Sequence, residues 1–393
     1  MTARQFRVLV IGGGYAGVMA ANRLTSRDDL AVTLVNPRPH FVERIRLHQL
    51  VAETGDAAVD YERVLNDRVR LAVDSVERID TAARRIVLAS GATLDYDYLV
   101  YAAGSTGAVP ASVPGAAEFG FSLSEWEPAA RLKARLSDLA LPAPIVVVGG
   151  GLTGIEAAAE LAEAGRPVTL VSTVVGPSLS RPGRRSVTKR LHKLGVVLVE
   201  GDAATVTAVG PDHVALADGR IIASAVTVWA AGFGVPGLAA ASGLTTDGMG
   251  RVVTDETYTS VDDDRIVAAG DSAAPSRRAY RMSCQASLPM GVLAAETVLA
   301  RIAGESPATV SVPMTAQCIS VGRRAGTLQV QRADDTPIAL YLGGRTGALI
   351  KEQVCRWTVK WMAGEAAEPG SYRTRKGPDR STAPAADEAI GVR

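Results

Sequence analysis

The segments RVLVIGGGYAGVMAANRL, residues 7–24, and PIVVVGGGLTGIEAAAEL, residues 144–161, match almost position for position. Each begins with a β-branched run, passes through three glycines and continues as an Ala-rich stretch with helical periodicity. A second apolar run follows each copy, AVTLVN after the first and PVTLVS after the second. Strand, glycine loop, helix and strand in this order form a βαβ unit. The sequence therefore predicts an α/β protein with two Rossmann-like, doubly wound parallel sheets.

The glycines of each copy follow the G-x-G-x-x-G pattern, the dinucleotide-binding fingerprint, in which each glycine has a structural role. The first glycine makes a tight turn, the second lets a pyrophosphate approach the backbone, and the third lets the helix pack on the strand. The helix N-terminus adds free N–H groups and positive dipole potential. The residues predicted to surround two dinucleotides are Gly12, Gly14, Tyr15, Ala16 and Gly17 in the first copy, and Gly149, Gly151, Leu152, Thr153 and Gly154 in the second.

The composition narrows the class of protein. A chain of 393 residues is long enough for two or three domains. Lys plus Arg, 42, nearly balances Asp plus Glu, 41, so the net charge of +1 indicates no nucleic-acid partner. The three cysteines are too widely spaced for a Cys-x-x-Cys site, so neither a metal site nor a disulfide framework is expected. A cytoplasmic protein is expected. Three consecutive glycines and a periodic helix argue against a signal peptide in residues 1–21, and glycine and proline would break a membrane-spanning helix over the uncharged residues 221–246.

Three further predicted strands end in small residues. They lie in YDYLVYAAGS (96–105), AVTVWAAGF (225–233) and DRIVAAGDSA (264–273). Small residues at a strand end let the chain pass beside a bound ligand, and a following Asp can accept a hydrogen bond from a polyol hydroxyl. The candidate contact residues at these ends are Ala103, Gly104, Ala231, Gly232, Gly270 and Asp271.

On these motifs the sequence resembles the two-dinucleotide-binding-domain flavoproteins that use pyridine nucleotides. Within that group it is most similar to type II NADH dehydrogenases and apoptosis-inducing-factor-like oxidoreductases, over about residues 6–363. The resemblance implies an FAD-binding domain made of residues 1–115 and 251–305 and an NAD(P)H-binding domain made of residues 116–250. It also implies a small α+β C-terminal region over residues 306–363, and the composition predicts a disordered tail over residues 364–393.

The resemblance implies FAD and either NADH or NADPH as cofactors, with a hydride passing from the nucleotide to the flavin. It places Glu156 near the nicotinamide as the catalytic candidate, whereas compensation of the helix dipole is its alternative role. It predicts that Asp271 hydrogen-bonds the FAD ribityl chain. It also predicts a helix that begins near Pro289, with Met290 and Gly291 at its N-terminus facing the flavin ring.

The first fingerprint strand ends without the usual acid, in TLVNPRPHFVERIRLH, residues 33–48. Asn36 stands where an acid would bind the adenosine ribose, and an amide can still hydrogen-bond to hydroxyls. Pro37 and Arg38 follow, and Arg38 is predicted to cover the adenine or its phosphates. Arg44 begins a basic segment that also contains Arg46 and His48. This segment either leads toward the flavin and acceptor or forms a solvated helix face.

The second fingerprint strand ends on Ser172, which is also not an acid. Without a carboxylate there, the 2′-phosphate of NADPH is not repelled, and Arg181, Arg184 or Arg185 could pair with it. The alternative is that these arginines form a solvated loop. The sequence therefore favours NADPH but leaves NADH open.

The predicted partner is a small-molecule electron acceptor, with a quinone as the first candidate. Type II dehydrogenases line the quinone site with two glutamines, and the segment CQASLP keeps Gln285 but has Pro289 at the second position. The C-terminal helix carries an apolar stripe, which is expected to pack on the FAD domain or on a homodimer partner. Peripheral contact with the inner face of the membrane is the alternative. The stripe consists of Ile350, Val354, Trp357 and Trp361.

Other functions share the same motifs. One is a flavin-bound redox sensor or interaction protein of the apoptosis-inducing-factor type, and another is a biosynthetic flavoenzyme that acts on a specialised metabolite. The disulfide-reductase branch of the resembled family carries two cysteines in the first helix of the FAD domain. Residues 15–26 contain none, so the resemblance disfavours dithiol reduction. Sulfide oxidation would require Cys284 to meet Cys318 or Cys355, and a cysteine at such positions is more often a small core residue.

Overall fold

The computed structural model describes residues 5–276 and 278–379. The strands of this part of the chain, in order, are β1 (Phe6–Ile11), β2 (Leu30–Asn36), β3 (His40–Val42), β4 (Ala58–Asp60), β5 (Arg70–Val73), β6 (Val76–Asp80), β7 (Arg85–Leu88), β8 (Thr93–Asp95), β9 (Tyr98–Tyr101), β10 (Thr106–Gly107), β11 (Gly120–Ser122), β12 (Ile145–Val148), β13 (Val168–Ser172), β14 (Val197–Glu200), β15 (Val206–Val209), β16 (His213–Leu216), β17 (Ile221–Ala223), β18 (Val226–Trp229), β19 (Phe233–Gly234), β20 (Val252–Thr254), β21 (Ile266–Ala268), β22 (Ala273–Pro275), β23 (Ala316–Ser320), β24 (Gly326–Gln331) and β25 (Pro337–Gly343).

Helices connect and cover these strands. In chain order they are α1 (Tyr15–Leu24), α2 (Leu47–Val51), α3 (Ala116–Phe119), α4 (Trp126–Ser137), α5 (Leu152–Glu163), α6 (Arg181–Lys193), α7 (Leu238–Ala241), α8 (Cys284–Ile302) and α9 (Gly344–Ala367). Short 3-10 turns occur at Arg44–Arg46, Tyr61–Arg63, Asp202–Ala204 and Gly270–Ser272.

The first fingerprint builds a five-stranded parallel sheet in the order β21-β9-β1-β2-β5. Its central strand, β1, is apolar and buried in its last four residues, as expected for a parallel strand covered on both faces. Helices α1 and α8 pack closely together, since a Cβ at Gly291 would meet the backbone of Ala16. This sheet therefore draws on chain segments that lie before and after the second sheet.

The second fingerprint builds an equivalent parallel sheet in the order β11-β18-β12-β13-β14. Its central strand, β12, is buried along its whole length. Val, Ile, Leu and Ala supply most of the apolar core around both sheets. The two parallel sheets confirm the predicted α/β class.

The C-terminal region is an antiparallel sheet, β23-β24-β25, followed by α9. Helix α9 ends at Ala367, beyond residue 364 where the disordered tail was predicted to begin. Glu365 accepts hydrogen bonds from the backbone N–H groups of Gly370 and Tyr372, so this part of the expected tail is structured. The remainder of that prediction, residues 380–393, lies outside the described residues.

The apolar stripe of α9 is only partly covered by the rest of the described chain, with Ile350 and Val354 half-buried, and packing on a homodimer partner stays a prediction. Trp357 and Trp361 are 40% and 41% exposed. The helix turns another face inward, on which the buried residues are Gly347, Lys351, Cys355, Thr358, Met362 and Glu365. No helix of the described chain is long and apolar enough to cross a membrane.

Candidate functional site

The first glycine loop joins β1 to α1 at the carboxyl edge of the first sheet. Gly12 has a φ of +98°, and a Cβ there would meet the backbone of Ala102. A Cβ at Gly17 would meet the carbonyl of Gly12, so the helix packs directly on the turn. Gly14 borders open space and caps α1 without a side-chain hydrogen bond. The loop thus offers room and uncapped N–H groups at a helix N-terminus, which fits a pyrophosphate.

Asn36 holds this loop in place through both ends of its amide. Its Oδ1 accepts a hydrogen bond from the N–H of Gly13 at 3.0 Å, and its Nδ2 donates to the carbonyl of Arg38 at 2.8 Å. The hydroxyl of Tyr61 donates to the carbonyl of Gly13 at 2.8 Å. Asn36 therefore organises the glycine loop, and direct contact with a ribose stays a prediction. Tyr61 was missed because it lies 48 residues from the glycine that it contacts.

The side chain of Arg38 is engaged in an ion pair beside the first glycine loop. Its guanidinium makes two hydrogen bonds with Glu127 of α4, at 2.7 and 2.5 Å, and thus ties the first sheet's loop to the second sheet's helix. Arg38 was predicted to cover the adenine or its phosphates; its guanidinium takes part in this ion pair, and contact with the nucleotide stays a prediction. Pro37, the residue before it, is exposed.

Asp271 lies where the chain leaves the ends of β9 and β21. Its Oδ2 accepts from the hydroxyl of Ser105 at 2.6 Å, and its Oδ1 accepts from the N–H of Ser283 at 3.2 Å. Arg44 donates to the hydroxyl of Ser105 at 2.9 Å and lies 4.0 Å from the Asp271 carboxylate. The positive φ angles of Gly104 and Gly270, both +72°, turn the chain at these ends. The structure thus brings together Arg44, Ala103, Gly104, Gly270 and Asp271, which the sequence proposed separately.

Helix α8 begins earlier than predicted. It starts at Cys284, and the side chain of Ser283 caps it by accepting from the N–H of Ala286 at 3.3 Å. Pro289 therefore lies inside the helix rather than at its start. Met290 and Gly291 lie in its second turn, where Met290 is fully buried and Gly291 packs on α1. The helix N-terminus near the Asp271 carboxylate is formed by the segment around Ser283 instead.

The second glycine loop repeats the geometry of the first. Gly149 has a φ of +116°, and a Cβ there would meet the backbone of Ala230. Gly154 packs against the carbonyl of Gly149, and Gly151 borders open space as the uncapped N-cap of α5. Residues that the sequence placed around this loop lie beside it, namely Leu152 and Thr153 in the first turn of α5, and Ala231 and Gly232 directly after β18.

Glu156 lies at the centre of a buried ionic cluster between the two sheets and the C-terminal region. It is in the second turn of α5, so compensation at the helix end does not explain it. Its Oε1 lies 3.0 Å from the ammonium of Lys351 on α9 and accepts from the N–H of Ser320 at 2.9 Å. Its Oε2 lies 3.7 Å from Nδ1 of His48 on α2. Glu156 thus joins three parts of the chain.

The neighbours of this cluster extend it outward. Glu160 accepts from Thr54 at 2.9 Å and from Arg323 at 3.3 Å. Arg46 makes two 3.0 Å hydrogen bonds with Glu352 of α9. Arg46 and His48 therefore face inward, which contradicts the alternative of a solvated basic face.

The charge states in the cluster follow from burial and pairing. Burial alone would raise the pKa of the Glu156 carboxyl, but Lys351, His48 and the N–H of Ser320 together outweigh burial and lower the pKa. Burial alone would lower the pKa of Lys351, but Glu156, with smaller contributions from Cys355 and Cys318, outweighs burial and raises the pKa. Burial lowers the pKa of His48 to about 4, so its imidazole is neutral at neutral pH. An ionised Lys351–Glu156 pair therefore lies beside a neutral histidine.

The three cysteines are free thiols on elements that border the cluster. Burial raises the pKa of Cys284 to about 12 and that of Cys318 to about 11, and it also raises the pKa of Cys355. A protonated, buried thiol is a poor nucleophile. The geometry thus gives no support to sulfide chemistry. Among the described residues no group of His, Cys, Asp and Glu could hold a metal ion.

Both grooves fit a dinucleotide by their own geometry. In each loop a glycine at the uncapped N-terminus of a helix borders open space. Small residues lie at the adjacent strand ends, and a glycine with a positive φ turns the chain away from the loop. The buried hydroxyl of Tyr15, in the first turn of α1, has no hydrogen-bond partner in the described structure. These features define an α/β protein with two dinucleotide-binding sites.

Comparison with known proteins gives the family. The pyridine nucleotide-disulphide oxidoreductase family matches residues 6–295, and the chain belongs to this family. An NADH dehydrogenase-like protein of Mycobacterium tuberculosis is 32% identical over 347 residues, which are 80% of this chain and 86% of that protein. This confirms the predicted resemblance.

Two solved structures share the fold. NDH2 of Plasmodium falciparum in complex with NADH superposes with a TM-score of 0.76 at 13% identity. The match covers 94% of this chain and 99% of the NDH2 chain. The sulfide:quinone oxidoreductase of Aquifex aeolicus has a TM-score of 0.76 at 20% identity and covers 92% of each chain. The family and the mycobacterial relative make the chain an FAD-dependent NAD(P)H oxidoreductase, and the two solved structures show that it shares their fold.

Proposed function

We propose that this oxidoreductase passes electrons from NAD(P)H to a quinone or a similar small acceptor, and that Lys351 and Glu156 act at the acceptor. The chemistry that bound FAD supplies is acceptance of a hydride and onward transfer of the electrons. Gly14 and Gly151 would face the pyrophosphates of FAD and NAD(P)H, and Asp271 would accept a hydrogen bond from the FAD ribityl chain. The observation that carries the proposal is the buried Lys351–Glu156 ion pair between both sheets.

A buried ammonium suits an acceptor that gains negative charge. A quinone oxygen becomes anionic as it is reduced, and a fixed cation in a site of low dielectric stabilises that charge. Lys351 is held by Glu156 and donates to the carbonyl of Cys318 at 3.4 Å, so its position is set before an acceptor arrives. Glu156 also keeps Lys351 protonated, as the direction of the Lys351 pKa indicates.

The test separates the two half-reactions in Lys351→Met, using menadione as a soluble quinone. We expect flavin reduction by NAD(P)H to stay within a few-fold of wild type, and menadione reduction to fall by about tenfold or more. Lys360→Met, on the exposed side of the same helix, is the control and should change neither rate. Because loss of one partner leaves Glu156 unpaired, the double variant Glu156→Gln with Lys351→Met checks folding. A Lys351→Met enzyme that reduces menadione at the wild-type rate would refute the role of Lys351.

The exposed face of α9 supports a membrane surface as the place where the acceptor is met. Tryptophan combines a large apolar ring with one N–H donor and favours membrane interfaces. Trp357 and Trp361 stack on each other at 6.0 Å between ring centroids while staying partly exposed. Exposed leucines occur on β25, which leads directly into this helix. A lipid-soluble quinone would then be reached from the bilayer.

Vesicle co-sedimentation checks this contact. Wild-type protein should sediment with vesicles that contain anionic lipid, and the variant Trp357→Ser with Trp361→Ser should bind several-fold less. Arg332→Ser, on the loop before β25, serves as a matched surface control. If the wild-type protein does not sediment with vesicles, and size-exclusion chromatography shows a dimer that the double variant does not form, the exposed face of α9 is a subunit interface instead.

A further inference from the structure

A basic groove of about 620 Å³ runs along the outer side of α6. Four cationic side chains line it, together with His192 and the carboxylate of Glu200. The cations are Arg181, Arg184, Arg185 and Lys189. In the part of the chain that the structure describes, none of these four lies within 4.0 Å of a carboxylate oxygen, whereas Arg190 on the same helix pairs with Glu163 at 3.0 Å. The groove therefore holds positive charge that the protein does not neutralise.

This groove reaches the carboxyl edge of the second sheet through Glu200. Ser172 ends β13 and is the register partner of Glu200, which ends β14. Ser172 is the counterpart of Asn36, because a Cβ at the middle glycine of each loop, Gly13 or Gly150, would meet that side chain. In a unit of this kind the residue at this strand end faces the adenosine ribose of the nucleotide. Ser172 has no charge to repel a phosphate there.

Arg184 is fixed next to the same strand end. Its Nε donates to the carbonyl of Val175 at 3.1 Å, and its Cγ would lie 3.4 Å from a Cβ at Gly176. Both residues belong to the loop that directly follows Ser172. Glu200 is already engaged, because its Oε1 accepts from the N–H of Val175 at 2.9 Å. The arginine is thus held in place while its remaining N–H donors stay available for an anion.

We propose that the second nucleotide site selects NADPH over NADH, with Arg184 and Arg181 binding the 2′-phosphate. An arginine–phosphate pair combines charge with directed hydrogen bonds, and the uncharged Ser172 leaves room for the phosphate beside the ribose. This inference rests on the proposed function, because it names the nucleotide that supplies the electrons.

Calorimetric titration of the FAD-loaded full chain with NADP⁺ and with NAD⁺ measures the preference without catalysis. Wild type should bind NADP⁺ at least about tenfold more tightly than NAD⁺. Arg184→Ala should weaken NADP⁺ binding about tenfold or more and leave NAD⁺ binding within about twofold. Ser172→Glu should also weaken NADP⁺ selectively, whereas Lys193→Ala, exposed on α6 outside the groove, should change neither. Equal or tighter binding of NAD⁺ by wild type, or equal losses for both nucleotides in Arg184→Ala, overturns the inference.

Anaerobic flavin reduction by each nucleotide then separates this inference from the proposed function. Tight, Arg184-dependent NADP⁺ binding with no flavin reduction by either nucleotide would defeat the proposed function and leave the selectivity intact. Rapid flavin reduction by NADH together with tighter NAD⁺ binding would defeat the selectivity and leave the proposed function intact.

Discussion

At the scale of single residues, His48 shows how burial sets a charge state. Its imidazole lies between Glu156 and Glu160, and its Nε2 is buried with no hydrogen-bond partner in the described structure. Burial lowers the pKa of the ring and outweighs Glu156, which favours the protonated form, while Lys351 and Arg323 act in the same direction as burial. The neutral form is therefore the native one over the physiological range.

This charge state predicts an acid-sensitive contribution to stability. The pKa of His48 is lowered from 6.5 to about 4 by folding, so the unfolded chain binds the extra proton more readily. The contribution is fully present above pH 6.5 and is lost as the pH falls toward 4, by up to about 3 kcal/mol. Denaturant unfolding across this window should give a steeper loss of stability for wild type than for His48→Gln. Parallel curves for the two proteins would contradict this assignment.

At the scale of elements, the contact between α1 and α8 depends on one glycine. A Cβ at Gly291 would meet the backbone of Ala16, which cannot move as a flexible side chain could. We therefore expect Gly291→Ala to lower the free energy of unfolding by about 1–3 kcal/mol and to reduce the FAD retained on purification. Thermal unfolding and the flavin-to-protein absorbance ratio measure the two effects.

A second helical glycine provides the matched control for that substitution. A Cβ at Gly364 of α9 would approach only the hydroxyl of Ser371, at 3.9 Å. Gly364→Ala should leave FAD retention unchanged and raise stability by about 0.5–1 kcal/mol, because alanine restricts the unfolded chain. If both variants behave alike, close packing of α1 on α8 is not what Gly291 provides.

The elements that the sequence predicted well are those whose pattern is local. Both fingerprints could be read because strand, glycines and helix follow one another within 18 residues. The start of α8 was misplaced, because Pro289 was taken as a first-turn residue although Ser283 is the cap. The inward face of α9 was also misjudged. Lys351, Cys355, Thr358 and Met362 have the same helical spacing as the tryptophan stripe, but a lysine on that face hid the pattern.

At the scale of the whole molecule, the ionic cluster could not be predicted because its members are far apart in the chain. Glu156 and Lys351 are 195 positions apart and meet only when α9 packs beside α5 and β23. Arg46 and Glu352 likewise join the first sheet to the C-terminal helix. The residues at the strand ends were easier to predict, because parallel strands place their carboxyl ends along one edge of the sheet. Gly104 and Asp271 follow two such strands and therefore lie close together. Side-chain partners such as Ser105 for Asp271 required the structure.

The most direct test of the central claim is anaerobic titration of the purified full-length protein with NADPH and NADH, followed through its visible flavin absorbance. We expect the protein to carry FAD, and we expect this absorbance to bleach on addition of nucleotide and to return when menadione is added. A protein that binds no FAD, or whose flavin absorbance is unchanged by either nucleotide, would contradict the assignment of two coupled dinucleotide sites.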